Sequence, residues 1–411
     1  MLKNISIYFF GSFISAGIPF LLLPILTRYL SPSEYGYITM FTLVLSITGV
    51  FTGVSVQGSI AREYFNKSIN FKEFVFNCII ILFVSTFVVS LVFIFFVDYI
   101  GQLSSLPHNC IYSILIISFF QFIVMIILVL YQIQAKAKKY IFVQISQAIG
   151  LFSFSILFVV VFNMNWQGQV IAHIVVLSIL GIISLKILFR DWIHFSFNIE
   201  YIKIALSFGI PLIPHSLGGI LIVVVDRLII NSKLGIENVG IYTAGLQISR
   251  GIGLITSSVS RAYSPLLYEY INKNYYELNK KIIFFTYIYF ISLLLLASMI
   301  GLFAPMIVDY ILGDKFISSK NVIFWIALGE AFNGMYLVVV GYIFYNRKTI
   351  ILTMITFSSG IICIFITYYF VELMGIEGAA IAYSISLFYT FLLTWIYAIK
   401  QHKMPWFERI I

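Results

Sequence analysis

Long apolar runs alternate with short polar stretches along almost the whole chain. Each run is close to the roughly 20 residues that an α-helix needs to cross the hydrocarbon core of a bilayer. The pattern therefore predicts an all-α integral membrane protein with about twelve transmembrane helices. The predicted spans are 5–27, 36–60, 74–97, 110–131, 141–162, 167–189, 202–230, 239–262, 282–305, 320–345, 349–370 and 377–399.

The composition argues against a soluble protein. Of the 411 residues, 61% are hydrophobic and 10% are charged, whereas about 25% are charged in an average soluble domain. The net charge of +9 does not indicate a nucleic-acid partner, because the basic residues lie in short loops between the apolar runs. The three cysteines have neither metal-ligand spacing nor the pattern of a disulfide framework. We therefore expect no metal site and no cofactor.

The distribution of Lys and Arg predicts the orientation of the chain. With twelve spans, 19 of the 25 Lys and Arg residues lie on the side of the two termini, five lie on the other side, and Arg250 falls inside a span. Cytoplasmic loops carry the excess of positive charge, so both termini are predicted to be cytoplasmic.

An internal repeat predicts two halves of six helices each. At a constant offset of 210 residues, segment 138–173 resembles segment 348–383. The identical pairs include Lys138/Lys348, Gly150/Gly360, Met164/Met374, Gly168/Gly378, Ile171/Ile381 and Ala172/Ala382. We expect lobes over 1–200 and 201–411, arranged as parallel repeats because six is an even number. In such folds the substrate site lies between the halves, near the midplane of the bilayer.

The eighth predicted span contains a charge at mid-depth. Arg250 lies about eleven residues into the span, which at 1.5 Å per residue is about 16 Å deep and close to the membrane centre. Ionisable residues at this depth are functional candidates. A polar stripe on one helical face surrounds it, comprising Thr243, Gln247, Arg250, Ser257 and Arg261. Because such a stripe must face protein or water, we predict that it lines a cationic cavity.

Glu330 should lie at a similar depth, about 15 Å into the tenth span, with Asn333 one turn later. We hypothesise that Arg250 and Glu330 exchange partners during transport. A static ion pair or two snorkelling side chains are the alternatives. Glu330 is the first candidate for coupling to H⁺ or Na⁺, and Asp226 is the second.

Further cations are predicted at the two mouths of the cavity. Arg28 ends the first span and Asp226-Arg227 ends the seventh, near the outer side, while Arg62 and Arg261 lie near the inner side. A cationic lining for an anionic headgroup is one interpretation. Interfacial anchoring of the helices is the other.

Local sequence also predicts where helices bend and approach one another. Pro19 and Pro24 should kink the first span, and Pro211 and Pro214 the seventh, because proline removes a backbone hydrogen bond and clashes one turn back. These kinks suit either alternating access or static packing. The second span has a face of small and polar residues that includes Gly49 and Gly53, which we interpret mainly as close helix packing. We find no catalytic signature in the sequence.

Three segments resemble a known family of exporters. These are LSPSEYGYITMFTLVLSITGVFTGVSVQGSIAREYFN (30–66), DRLIINSKLGIENVGIYTAGLQIS (226–249) and GIEGAAIAYSIS (375–386). Their order and spacing resemble the Wzx-type flippases of lipid-linked oligosaccharides, in the multidrug/oligosaccharidyl-lipid/polysaccharide exporter superfamily. The resemblance spans almost the whole chain.

The resemblance implies a location, a substrate and partners. It implies a multi-pass protein of the bacterial inner membrane that moves an undecaprenyl-diphosphate-linked oligosaccharide from the cytoplasmic to the periplasmic leaflet by alternating access. The product would feed O-antigen, capsule or a similar surface polymer, with the polysaccharide polymerase machinery as a possible partner. A cationic cavity around Arg250 suits a diphosphate, which needs charge-assisted donors when it leaves water.

Three other functions compete with this prediction. Drug exporters of the same superfamily also have twelve helices, but many carry an acidic residue in the first helix, and span 5–27 has no Asp or Glu. Flippases of peptidoglycan precursors usually have fourteen helices. A membrane glycan polymerase typically needs a large outer loop, whereas the predicted loops 98–109 and 306–319 are short.

Overall fold

Helices account for nearly all of the regular structure in the computed structural model, which describes residues 2–273, 276–346, 349–401, 404 and 406. The helices are α1 Leu2–Tyr29, α2 Pro32–Phe51, α3 Val56–Glu63, α4 Phe71–Phe95, α5 Val97–Ser104, α6 His108–Ile133, α7 Ala137–Ser155, α8 Asn165–Asp191, α9 Ile199–Gly209, α10 Leu212–Leu234, α11 Ile236–Lys273, α12 Tyr276–Leu302, α13 Ala304–Ile307, α14 Lys320–Tyr345 and α15 Thr349–Gln401. Short 3₁₀ turns cover Thr52–Ser55 and Asp314–Ser319, and π-helical turns cover Ile156–Val161 and Val308–Leu312.

Eight helical segments of the described chain are long and apolar enough to cross a membrane. They are Pro32–Glu63, Phe71–Phe95, His108–Ile133, Ala137–Val161, Asn165–Asp191, Leu278–Leu302, Asp314–Tyr345 and Ile350–Gln401. The predicted all-helical, multi-pass membrane architecture is thereby confirmed. The count of twelve crossings and the orientation of the termini stay predictions.

The last of these segments contains two helices. Its 52 residues would extend about 78 Å as one straight helix, which is more than twice the ~30 Å hydrocarbon core. The chain changes direction at Gly375, which has a φ of 62° and a ψ of −139°. Glycine adopts this conformation without the steric penalty that a β-carbon brings. The bend lies between the predicted spans 349–370 and 377–399.

The chain forms two compact units, Met1–Val224 and Val225–Ile411. In the first unit, α6 packs against α2, α4 and α8, and α9 packs against α3 and α4. In the second unit, α14 packs against α11, α12 and α15. The predicted lobes, divided between residues 200 and 201, stay a prediction.

The start of α2 is determined by a local capping motif. The Ser31 hydroxyl accepts a hydrogen bond from the Glu34 amide at 3.3 Å, and the Glu34 carboxylate accepts one from the Ser31 amide at 2.7 Å. This capping box satisfies two amide donors, and Pro32 occupies the first turn, where its missing N–H is not needed. The helix therefore begins at Pro32, four residues before the predicted start at 36.

A short left-handed turn interrupts the second span. Gly53, Val54 and Ser55 have φ values of 72°, 49° and 53°, which lie in a region that costs a non-glycine residue roughly 1–2 kcal/mol. Neighbouring helices hold the turn in place. The Gly53 amide donates a 2.8 Å hydrogen bond to the hydroxyl of Ser85 on α4, and the ring of Phe122 on α6 packs directly onto Gly53. Irregular backbone at membrane depth is tolerated where protein buries it in this way.

Replacing Ser85 with alanine is expected to lower the free energy of unfolding by about 1–3 kcal/mol, because the buried Gly53 amide loses its acceptor. The measurement is the thermal unfolding midpoint of the full-length protein in a mild detergent. Ser90→Ala is the matched control, since Ser90 lies on the same helix and its hydroxyl donates to the Thr86 carbonyl one turn back. Equal midpoints for the two variants would contradict the role assigned to Ser85.

The prolines of the seventh predicted span coincide with a real interruption. Ile210 and Pro211 form a turn between α9 and α10, although the Ile210 backbone keeps right-handed helical angles, and Pro214 lies in the first turn of α10. The α9 end packs tightly, because a β-carbon at Gly209 would lie 2.0 Å from the Val54 carbonyl oxygen. By contrast, α1 is helical throughout and contains both Pro19 and Pro24.

A glycine repeated in the two halves makes the same kind of contact in each. A β-carbon at Gly168 would lie 2.8 Å from the carbonyl carbon of Phe158, and one at Gly378 would lie 2.0 Å from the carbonyl oxygen of Phe370. Both glycines thus pack against the backbone of the helix that precedes them. This close approach gives a physical reason for glycine at both positions of the internal repeat.

Candidate functional site

The packing of α11 against α14 brings the mid-depth charges together within the unit Val225–Ile411. Arg250 on α11 is half-buried, and Glu330 on α14 is 5% exposed. A buried carboxylate is costly unless other groups stabilise it. The surroundings of Glu330 show which groups do so.

Glu330 has contacts on two sides. The Tyr383 hydroxyl of α15 donates a 2.8 Å hydrogen bond to Oε1. The other oxygen, Oε2, lies against Gly253 of α11, where a β-carbon would approach to 2.9 Å. A larger residue at position 253 would therefore displace the carboxylate. The side chain of Asn333, one turn along α14, also interacts with Glu330.

Arg250 lies near Glu330 but does not form a short ion pair with it in the described residues. The guanidinium is close enough to act electrostatically on the Glu330 carboxylate. Within the described residues, the ion pairs shorter than 4.0 Å do not include one between these two side chains. The pair is thus arranged so that Arg250 can turn to another anion nearby. Exchange of partners during transport stays a prediction.

A second buried carboxylate lies on α10. Asp226 is 1% exposed and accepts a 2.6 Å hydrogen bond from the hydroxyl of Tyr242 on α11. It also accepts from the Arg227 amide at 2.7 Å and from the Arg227 guanidinium at 3.3 Å. Arg227 is itself 5% exposed. The helix continues to Leu234, so this pair lies two turns inside α10 and not at its end.

Two tyrosines connect these carboxylates, and sequence reasoning did not select them. Tyr242 and Tyr383 are fully buried or nearly so and close enough to interact electrostatically. Each lies in a segment of the family resemblance, GIYTAG and AIAYSIS. A tyrosine within an apolar helix was the sequence signal that could have identified them, since a buried phenol needs a hydrogen-bond partner. Its particular partner depends on helix packing that the sequence does not reveal.

The rest of the predicted α11 stripe is partly occupied by internal hydrogen bonds. Gln247 and Ser257 are half-buried, and Arg261 is exposed. The Arg261 Nε donates to the Ser257 carbonyl at 3.1 Å, and its guanidinium lies 3.5 Å from the Ser257 hydroxyl. Arg261 therefore folds back along its own helix by one turn.

The two arginines predicted in the first unit lie at helix ends. Arg28 is exposed in the last turn of α1. Arg62, in the last turn of α3, forms a 3.3 Å ion pair with Glu63 and lies 5.7 Å from the centre of the Phe208 ring. These contacts fit anchoring as well as headgroup binding, so their predicted role in the substrate path stays a prediction.

The charged cluster can offer one guanidinium to an incoming anion while both carboxylates keep other partners. Glu330 has the Tyr383 hydroxyl and Asp226 has the Tyr242 hydroxyl and Arg227. Arg250 can then donate to phosphate oxygens without leaving either carboxylate unsatisfied. No group of three or more His, Cys, Asp or Glu side chains in the described part of the chain is placed to hold a metal ion.

Comparison with known sequences finds one family and several relatives. The family described as "Polysaccharide biosynthesis protein" matches residues 1–271. A protein of Haemophilus influenzae named "Lsg locus putative protein 1" is 24% identical over 401 residues, covering 94% of this chain and 95% of the relative. A Shigella flexneri protein named "Putative O-antigen transporter" is 25% identical over 174 residues, covering 42% of this chain and 41% of the relative.

Solved structures share the fold at low sequence identity. "Lipid II flippase MurJ, inward closed conformation" aligns with a TM-score of 0.75 and 15% identity, covering 96% of this chain and 87% of that one. An inward-facing multidrug resistance transporter of the MATE family, from the MOP superfamily, aligns with a TM-score of 0.69 and 15% identity, covering 94% of both chains. These alignments establish the fold.

Proposed function

The chain belongs to the polysaccharide biosynthesis protein family, and from this premise we propose that it moves an undecaprenyl-diphosphate-linked oligosaccharide from the cytoplasmic to the periplasmic leaflet. The resemblance to Wzx-type flippases predicted from the sequence is confirmed, and the chain is a multi-pass membrane transporter of the flippase type, not an enzyme. The identity of the carrier lipid and the direction of transport belong to the proposal.

The observation that carries the proposal is the half-buried guanidinium of Arg250 beside Glu330. A diphosphate that leaves water needs charge-assisted hydrogen bonds, and arginine can donate two parallel ones to phosphate oxygens. Arg250 is at the predicted mid-depth of the membrane, on the polar face of α11. Uncharged sugar rings need no such charge, so the arginine is matched to the diphosphate.

The remaining predicted residues have subordinate roles in this proposal. Gln247 and Ser257 flank Arg250 along the polar face of α11 and contact the same headgroup. Arg28, Arg62 and Arg261 are the predicted cationic lining at the two mouths of the path, whereas Arg227, also predicted there, is buried against Asp226. If transport is coupled to H⁺ or Na⁺, Glu330 and Asp226 are the carboxylates placed for it, because both are buried and each accepts a hydrogen bond from a tyrosine.

Deleting the gene tests the proposed function. A flippase deletion should abolish the surface polymer and cause complete single repeat units, still lipid-linked, to accumulate on the inner leaflet. Single units that reach the outer leaflet unpolymerised would instead identify a polymerase. A normal surface polymer together with increased sensitivity to toxic cations would identify a drug exporter.

Arg250→Ala is expected to reduce complementation of the deletion strain at least tenfold, because Arg250 is the arginine that acts on Glu330 in the described part of the chain. Arg250→Lys should restore part of the activity, since the charge remains but the two parallel hydrogen bonds do not. The measurement is surface polymer per unit of membrane-inserted protein. Arg190→Ala is the control, because Arg190 pairs with Asp191 on an exposed helix end. Full complementation by Arg250→Ala would overturn the assigned role.

A further inference from the structure

A cleft in the unit Met1–Val224 lies apart from the charged cluster. Its volume is about 750 Å³, within the roughly 300–1,000 Å³ of small-molecule sites. It is lined by residues from three places in the chain: Tyr37 near the start of α2, the segment from Asp98 to His108 between α4 and α6, and Trp166 at the start of α8. All three places are outer ends of spans in the predicted orientation.

One wall of the cleft is aromatic. The rings of Tyr37 and Trp166 stack with their centres 4.9 Å apart and an angle of 25° between their planes. Both side chains are half-buried. The face of an aromatic ring carries negative potential, which attracts polarised C–H groups. The stack uses one face of each ring, and the remaining surface of both rings lines the cleft, where it suits a ligand with C–H groups on one face.

The segment from Asp98 to His108 contributes polar groups to the lining of the cleft. His108 Nε2 lies 3.2 Å from an oxygen of Asp98, and their side chains are 54% and 82% exposed. Gln102 and Ser105 add an amide and a hydroxyl on exposed positions of the same segment. Together these groups supply hydrogen-bond donors and acceptors of four chemical types. The described lining contains no Lys or Arg, so the cleft lacks the charge that a phosphate needs.

The combination of walls matches a sugar ring. A pyranose presents C–H groups on one face and hydroxyl groups around its rim, so an aromatic wall and a polar wall can be engaged together. Aromatic residues also occur as interfacial belts in membrane proteins. Tyr37 and Trp166, however, stack on each other in a cleft that also contains the Asp98–His108 pair, whereas belt residues contact lipid. The cleft is therefore arranged as a binding site.

We infer that this cleft binds a pyranose unit of the oligosaccharide after the headgroup reaches the outer side. The inference rests on the proposed function for the source of the sugar, but it makes a separate claim about a saccharide site. The Tyr37–Trp166 wall takes the C–H face of the ring, and Gln102, Asp98 and His108 take its hydroxyl groups. Such a site would hold the sugar away from the path until the lipid leaves.

The test measures binding of a lipid-free oligosaccharide to the full-length protein in nanodiscs. The probe is the repeat-unit oligosaccharide released by mild acid from the surface polysaccharide of the host strain, observed by saturation-transfer NMR. Wild-type protein should bind it. Trp166→Ala should weaken binding at least tenfold, and Gln102→Ala, an exposed change that leaves folding intact, about threefold. Tyr112→Ala is the matched control, because Tyr112 is an exposed aromatic residue of α6 outside the cleft.

The outcomes separate this inference from the proposed function. Absence of saturation transfer in the wild type, or equal transfer in Trp166→Ala, Gln102→Ala and Tyr112→Ala, overturns the saccharide site even if the deletion strain accumulates lipid-linked units. Loss of folded protein in Trp166→Ala with unchanged binding by Gln102→Ala also overturns it and leaves an interfacial anchor. Specific binding without accumulation in the deletion strain supports the site and rejects the flippase.

Discussion

Replacing Asp226 with leucine is expected to lower the free energy of unfolding by about 3–5 kcal/mol, because it leaves a buried arginine without its carboxylate. Asp226 and Arg227 are 1% and 5% exposed, so water cannot replace the lost partner. The Tyr242 hydroxyl, which donates to Asp226 at 2.6 Å, would also lose its acceptor. The measurement is the unfolding transition of the purified protein in mild detergent, followed by tryptophan fluorescence.

Two further variants test the reason for this loss. Asp226→Leu combined with Arg227→Met should recover much of the stability, since removing both charges removes the unpaired one. Glu372→Gln breaks the ion pair of Lys233 with Glu372, which is 67% exposed, and should change the transition little because solvent screens that pair. A transition in Asp226→Leu as high as in Glu372→Gln would show that the buried pair contributes nothing.

Gly378→Ala is expected to destabilise the protein by about 3 kcal/mol or more, because the added methyl group cannot fit. Its β-carbon would lie 2.0 Å from the Phe370 carbonyl oxygen and 2.4 Å from the carbonyl carbon. These atoms are backbone, so relief requires the two helices on either side of Gly375 to separate. The measurement is the same detergent unfolding transition, together with the amount of protein in the membrane fraction.

Alanine substitutions at two other glycines, where the added methyl group has more space, serve as comparisons for Gly378→Ala. At Gly168 the nearest backbone atom would be 2.8 Å from the new carbon, so Gly168→Ala should be destabilising by a smaller amount. At Gly49 no atom lies within 4 Å, and alanine is there a better helix former than glycine by up to ~1 kcal/mol. If Gly378→Ala and Gly49→Ala had the same midpoint of unfolding, the close approach of the two helices at Gly378 would be disproved.

The helices were predictable from the sequence because the membrane requires them. A run of apolar residues with no water for its backbone must satisfy its hydrogen bonds internally, so each run becomes a helix. The start at Lys320 coincides with the predicted one. Ends in polar segments were less predictable, and α11 continues to Lys273, eleven residues past its predicted end, because helices can extend beyond a membrane where charge carries no penalty.

The left-handed turn of the second span was not predictable, for a different reason. The sequence showed small residues at Gly49 and Gly53, which indicate close packing in a regular helix equally well. What holds the turn comes from distant segments, namely the hydroxyl of Ser85 and the ring of Phe122. The local sequence therefore allows the turn, because it contains Gly53, but the residues that stabilise the turn are distant in the sequence.

The charged residues of the cluster were predictable, whereas its two tyrosines and the hydrogen bonds between its helices were not. Arg250 and Glu330 stand out because charge is rare at mid-depth. The sequence suggested that Arg250 and Glu330 exchange partners, with a static ion pair as an alternative. The structure gives each carboxylate a tyrosine and leaves Arg250 beside Glu330 without an ion pair within 4.0 Å in the described residues. Hydrogen bonds between helices depend on rotation about each helix axis, which the apolar pattern determines only coarsely.

The turn at Thr52–Ser55 also divides one span into two cooperative units. In a continuous helix such as α11, loss of hydrogen bonds at one end can propagate along the helix, because each hydrogen bond stabilises the next one. Three consecutive left-handed residues interrupt that ladder, so α2 and α3 have separate hydrogen-bond networks. Stability in proteins is distributed over such contiguous segments, which open independently of one another. Amide protons on the two sides of Thr52 are therefore expected to exchange with water as separate groups.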